Sequence, residues 1–260
     1  MSWLVAHDVW PGVSADDPPP LRAGEWIQHE GRQAHYTIYD KDGPLGAIWT
    51  SYLIDPTSLQ RRDLIWIDRL PLPIAPLRTV IDSTFTADGL LDEFSLRLRN
   101  AGADVFLHGE RFHSSFSFKL QMGRTAEPRL FTLPLADGGT IAAAFHPFAQ
   151  LQDIHVGQRW RMQVFNPVAA LTGVGDRFLP MLVEVTGEED IVTNAGVTHC
   201  LVVEAPNVTA WVDRRGVVHV QETQLPLVGR IRVVRELEFD EEARKEAQRW
   251  TFSGTDANPS

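Results

Sequence analysis

The sequence predicts a mainly β protein: a long curved antiparallel sheet, or half-barrel, wrapped around a short central helical segment, with a C-terminal helix added. Short runs of β-branched and aromatic residues recur along the chain and are separated by turn-forming Gly, Asn, Asp and Pro. One apolar stretch near the middle has helical spacing instead. A sheet of this many strands twists and must curl, so the helical stretch would fill its concave face.

The strand pattern begins after residue 25 and is clearest where apolar and polar side chains alternate. Phe94, Leu96 and Leu98 alternate with serine and arginine, which is the period of a half-buried strand. The predicted strands are 35–39, 47–54, 64–67, 79–86, 91–99, 104–109, 115–120, 160–165, 179–186, 197–204, 208–213, 217–223 and 231–237.

Two segments are predicted to be helical. Residues 140–153 carry apolar side chains at helical spacing, with Pro147 expected to kink or split the helix. Near the C-terminus, Asp240 is a predicted N-cap, and acidic residues precede basic ones as a helix dipole favours. The apolar, proline-rich stretch 70–77 is either a lid or a strand crossing at an edge, and we favour the crossing.

We divide the chain into an apolar N-terminal stub with a Pro-rich spacer (1–24), a single β half-barrel domain (25–237), and a helix with a disordered tail (238–260). The stub is the trailing edge of a membrane anchor, a short segment that packs on the domain, or a frayed tail. Its apolar residues are Trp3, Leu4, Val5, Ala6, Val9 and Trp10.

Composition narrows the function classes. The 24 basic and 34 acidic residues give a net charge of −10, which argues against a nucleic-acid partner. One cysteine excludes an intramolecular disulfide and a multi-cysteine zinc site. We predict no cofactor and no metal site.

His108, Glu110 and His113 are residue types that bind metals. On a strand, however, His108 and Glu110 share one face while His113 falls on the other. A bulge, for example at Gly109, would be needed to unite them. We therefore favour a solvated strand edge.

Cys200 beside His199 suggests a nucleophile and its base. Adjacent strand residues point to opposite faces, so this pair cannot form a catalytic dyad, and a small buried thiol is the favoured interpretation. The glycines of 171–178 lack the third glycine and the strand–helix context of a dinucleotide loop. We predict no catalytic residues and no enzyme activity.

Two segments carry a family resemblance. Residues 211–222 have the pattern W-V-D-x-x-G-x-V-x-x-Q-E, and 157–160 have G-Q-x-W, followed by Phe165-Asn166-Pro167 with Asn166 in place of the usual acid. Together they resemble the extracytoplasmic β domain that precedes the catalytic core of bacterial transglutaminase-like membrane proteins. More distantly, the region is similar to the curved sheet of lipoprotein-localisation carriers.

The resemblance covers about residues 25–240, so transglutaminase activity is not carried over with it. It implies structural roles for Trp211 and Asp213, with the aspartate starting the turn before Gly216.

From these observations we expect a non-enzymatic, membrane-tethered structural or adaptor domain that binds another protein through a sheet edge. Its expected location is the periplasm or another extracytoplasmic face of a bacterial membrane, with an N-terminal anchor that this chain lacks. The partner would be a membrane protein or a hydrophobic ligand, and not a nucleic acid.

The alternative is a carrier or sensor of a lipid-like ligand held in the concave face. The same side chains would also suit a filled core. The candidate lining residues are Phe94, Leu96, Phe116, Phe118, Phe145, Phe148, Trp160 and Trp211.

Overall fold

The computed structural model describes residues 33–252 except 55–56, 70–75, 88–90, 101–103, 114, 124, 135–139, 144–147, 149–150, 152, 166–177 and 226–228. This part of the chain forms β-strands and one helix, α1 (Glu241–Phe252). The strands are β1 (Gln33–Asp40), β2 (Gly43–Ile54), β3 (Ser58–Ile67), β4 (Leu77–Thr86), β5 (Leu91–Arg99), β6 (Asp104–Phe112), β7 (Ser115–Met122), β8 (Arg129–Pro134), β9 (Thr140–Ala143), β10 (Arg159–Phe165), β11 (Phe178–Thr193), β12 (Gly196–Ala205), β13 (Val208–Val212), β14 (Val218–Leu225) and β15 (Gly229–Arg235).

All strands belong to one 15-stranded sheet in the order β8-β7-β6-β5-β4-β3-β2-β1-β15-β14-β13-β12-β11-β10-β9. Neighbours are antiparallel except β9 and β10, which are parallel. The first and last described strands, β1 and β15, pair in the middle of the sheet, Ile38 opposite Val233. The predicted fold class, a long antiparallel sheet with a C-terminal helix, is confirmed.

Chain connectivity forces this sheet to curl. Its two edges are β8 and β9, yet only residues 135–139 join Pro134 to Thr140. Six Cα steps span at most about 22 Å, whereas 15 flat strands would place the two edges about 67 Å apart. The edges therefore face each other across an opening, which we call the seam.

One face of the sheet, the inner face, carries two buried apolar clusters. The first joins β1–β7 and β15 and includes Phe94, Phe116 and Phe118. The second joins β10–β14 with Phe148 and Leu151. These side chains are buried although the helix lies on the other face, because the sheet curls around them.

A buried polar pair lies where the two clusters meet. Thr223 stands between Ile231 of the first cluster and Val208 of the second in the strand register. Gln221 Nε2 donates to Thr223 Oγ1 at 3.1 Å, and the Phe148 N–H donates to Gln221 Oε1 at 3.5 Å. The polar groups are thus paired, as burial requires.

Helix α1 packs on the outer face. Ala247 joins a cluster with Trp49, Leu64 and Val80 of β2–β4. Asp240 Oδ1 accepts the Ala243 N–H at 2.8 Å, which confirms the predicted N-cap.

The predicted helix over 140–153 is wrong in its first turn. Residues Thr140–Ala143 form β9, with Ile141 beside Gln163 of β10. A tertiary partner overrides the helical spacing there, as is common for short apolar runs. Of the remainder, Phe148 and Leu151 are described and buried. The stub 1–24, residues 70–75 and the tail from 253 lie outside the described residues.

Phe148 tests whether the inner face is filled. It is 1% exposed, so Phe148→Ala should lower the free energy of unfolding by about 3–5 kcal/mol. Leu130→Ala, at a side chain 79% exposed, should change it by less than about 0.5 kcal/mol. Chemical denaturation of both variants measures the difference, and equal small effects would indicate an open cavity beside Phe148.

Candidate binding surfaces

Most of the predicted ligand-lining residues lie on the inner face and are packed. Phe94, Leu96, Phe116 and Phe118 belong to the first cluster. Phe148 and Trp160 belong to the second, whereas Phe145 lies outside the described residues.

The packing around these residues is tight at Gly109. A Cβ at this position would lie 2.5 Å from the Phe118 ring. The described part of this face is occupied by the protein's own side chains.

Trp211, another predicted lining residue, does not lie on the inner face. It lies opposite Val202 and Val220, whereas its neighbours Ala210 and Val212 belong to the second cluster. Strand alternation therefore puts Trp211 on the outer face. Its indole Nε1 donates to Glu189 Oε2 at 2.8 Å, so its placement in a concave lining is wrong.

Asp213 organises the β13–β14 turn, as the resemblance implies. Its Oδ1 accepts the N–H groups of Arg215 at 2.9 Å and Val217 at 3.0 Å. Gly216 has φ of 83°, a conformation that glycine adopts without strain. Its N–H donates to the Asp213 carbonyl at 2.9 Å.

The second carboxylate oxygen of Asp213 contacts an arginine and a histidine side chain. Arg215 Nη2 lies 3.0 Å from Oδ2, and His219 Nε2 lies 3.1 Å from it. Burial alone would raise the pKa of Asp213, but the hydrogen bonds from His219, Val217 and Arg215 outweigh it. The net pKa lies well below its ordinary value, and the group stays ionised.

Asp213→Asn should therefore destabilise the fold by about 2–4 kcal/mol at pH 7, because an amide donor would face several donors. A lowered pKa means that the stabilisation is present above the unfolded pKa of about 3.9 and lost as pH falls through the folded value. Urea titrations should show that the difference in the free energy of unfolding between variant and wild type shrinks below about pH 4. A difference unchanged by acid would contradict the assignment.

Cys200 is a buried thiol, as predicted. Burial, and after it the negative charges of Asp213, Asp190 and Glu189, raise the pKa of Cys200 to about 12. The thiol is protonated at neutral pH and is a poor nucleophile.

The β11–β12 hairpin extends past its neighbours as a two-stranded ribbon, residues 187–200. The register of β10 with β11 ends at Glu184, and Val185 makes the last backbone bonds on that side, with Gly157 and Gln158. Pairing of β13 with β12 ends at Leu201. The sequence prediction stopped the first of these strands at 186, so the ribbon was missed. At its tip, Asn194 Nδ2 donates hydrogen bonds to the Arg235 carbonyl at 3.2 Å and to Glu236 Oε2 at 2.8 Å.

The ribbon leaves backbone groups without a partner among the described residues. Thr193 closes the two-residue turn opposite Gly196, so its N–H and C=O point toward β12. Because these groups alternate in direction along an antiparallel strand, those of Glu188, Asp190 and Val192 point away from β12. Together they form a free strand edge.

One face of the ribbon combines an apolar tip with a charged base. Val192 and Val197 are direct partners and are 78% and 74% exposed. Behind them His199 Nδ1 lies 2.7 Å from Asp190 Oδ1, and Nε2 lies 3.1 Å from Glu188 Oε2. The hydrogen bonds to Asp190 and then Glu188 raise the pKa of His199.

A histidine NMR titration tests this contact. His199 should titrate above the ordinary value of 6.5, so its pairing with the acids holds at low pH and weakens as pH rises through the raised pKa. Asp190→Asn should bring the midpoint back toward 6.5. Glu189→Gln is the control, because Glu189 bonds Trp211 instead, and an equal shift in both variants would contradict the pairing.

A cavity of about 410 Å³ lies beneath the ribbon tip, between Asn194, the β13–β14 turn and the segment 235–239. Its charged lining is largely engaged internally, Arg215 with Asp213 and Glu236 with Asn194. The described lining residues include no nucleophile paired with a base.

The histidines near β6 stay on the surface. His108 lies 3.1 Å from Glu110 and 3.7 Å from Glu93, while His113 packs edge-on against Phe112. The strand register shows no bulge at Gly109. Among the described residues, no three His, Cys, Asp or Glu side chains are arranged to hold a metal ion.

Within the described part of the chain, no helix has both the length and the apolar character needed to cross a membrane. No family model, curated protein or solved structure matches the chain. The resemblance to the transglutaminase-associated β domain therefore stays a prediction.

Proposed function

We propose that this protein is a non-enzymatic adaptor domain that binds an extended segment of another protein by strand addition to the free edge of the ribbon. The observation that carries the proposal is the set of outward backbone groups on Glu188, Asp190 and Val192. An exposed strand edge is a ready template for pairing with another chain.

The ribbon suits this role better than the two edges at the seam. Strand β9 has only four residues, and β8 has six and ends in Pro134. Short edge strands and proline are features that discourage pairing with other chains.

The packed inner face weighs against the alternative, a carrier of a lipid-like ligand. A ligand would have to displace buried side chains such as Phe116 and Trp160. Native mass spectrometry of the purified protein separates the two functions. The adaptor function predicts a spectrum without an acyl-chain adduct, whereas an adduct that survives desalting would favour the carrier function.

The extracytoplasmic location and the membrane tether belong to the same proposal. They are supported by the sequence resemblance and by the tryptophans and aliphatic residues of the stub. An adaptor at a membrane face would meet a membrane protein as its partner.

Two substitutions at one position test strand addition. Asp190→Pro removes the outward N–H and the carboxylate, while Asp190→Ala removes only the carboxylate. We expect peptides selected from a random displayed 12-mer library to bind wild type and Asp190→Ala with similar affinity. Asp190→Pro should bind these peptides roughly tenfold or more weakly, because one or two backbone hydrogen bonds to the peptide are lost.

Amide exchange gives a second readout of the same event. The amides of Glu188, Asp190 and Val192 should exchange quickly in the free protein and become protected by the selected peptide. A library that yields no binder, or binders that hold Asp190→Pro as tightly as Asp190→Ala, would contradict the proposal.

A further inference from the structure

Exposed apolar side chains gather at one end of the sheet. We call it the Gln33 end, because β1 begins there. Strand directions place at this end six of the nine large apolar residues that are exposed in the described chain, the other three being Met122, Leu130 and Leu182. The six, which we call the apolar rim, are Leu53, Phe112, Val156, Val192, Val197 and Leu237.

The rim residues lie at strand ends and in connections. Leu53 is the penultimate residue of β2, Phe112 ends β6, and Leu237 follows β15. They are 64%, 67% and 66% exposed. Because the sheet curls until its edges face each other, these ends stand around the mouth of the half-barrel and not along a straight line.

The N-terminal segment joins the sheet at the same end. Residue 32 is bonded to Gln33, the first residue of β1, and residues 1–32 contain Trp3, Leu4, Val5 and Trp10. Tryptophan beside aliphatic residues is typical of membrane interfaces. The chain therefore enters the sheet at the end that carries the rim, and its most interface-like sequence precedes that entry point.

We infer that the Gln33 end faces a lipid bilayer and that the apolar rim docks on its surface. The occupant is a membrane and not a second copy of the chain, because each copy carries a net charge of −10 and copies repel one another. The inference rests on the membrane association proposed above and is independent of strand addition.

The charges around the rim indicate which lipid surface it fits. Glu188 and Asp190 lie behind the ribbon valines, and Arg111 lies beside Phe112. With mixed charges nearby and an acidic protein overall, docking relies on apolar contact and not on basic residues. Zwitterionic vesicles should therefore be bound better than anionic ones.

The test is co-sedimentation of the full chain with phosphatidylcholine vesicles. Replacing Leu53, Phe112 and Leu237 together by Ser should lower the partition coefficient by roughly tenfold or more. The matched control replaces Met122, Leu130 and Leu182 by Ser, an equal number of exposed apolar residues away from the rim, and should bind as wild type does. Circular dichroism checks that both variants are folded.

A third variant, Trp3→Ser with Trp10→Ser, separates the rim from the stub. The proposal that the rim docks on a membrane is contradicted if wild type does not bind these vesicles. It is also contradicted if the control loses as much binding as the rim variant, or if only the tryptophan variant loses binding. Because none of the substituted residues lies in the ribbon, loss of vesicle binding and loss of peptide binding are distinguishable.

Discussion

The pairing of β1 with β15 is the interaction on which the rest of the structure depends. Ile38 and Val233 are buried partners there, and they join strands that are about 190 residues apart in the chain. This pairing makes one sheet of two meanders, places the middle of the chain at both edges, and leaves 135–139 to connect them. The curl of the sheet, the seam and the common inner face all follow from it.

Because the described part of the inner face is packed with the protein's own side chains, both proposed binding surfaces lie at the ends and edges of the sheet. The Gln33 end collects the ribbon, the Asp213 turn and the exposed tips. The ribbon combines a backbone edge with the fixed group of His199, Asp190 and Glu188. Both proposals therefore place binding where strand pairing stops, and not in a pocket within the core.

Much of the fold was predictable because its strands alternate regularly, as Phe94, Leu96 and Leu98 do. Thr140–Ala143 was not, since a short apolar run becomes a strand only when β10 is beside it. The ribbon was missed because Glu188, Glu189 and Asp190 are poor strand formers, and His199 meets Asp190 only through the register. Trp211 could have been placed correctly, because Val208, Ala210 and Val212 alternate with it.

Hydrogen–deuterium exchange of Ile38→Ala tests the role of the β1–β15 pairing most directly. Removing this buried side chain, which packs beside Val233, should loosen the junction that holds the two meanders together. The account predicts that peptides from β4–β5 and from β12–β13 lose protection together. Loss confined to residues 33–134, with 178–235 still protected, would show that the halves are independent and would contradict it.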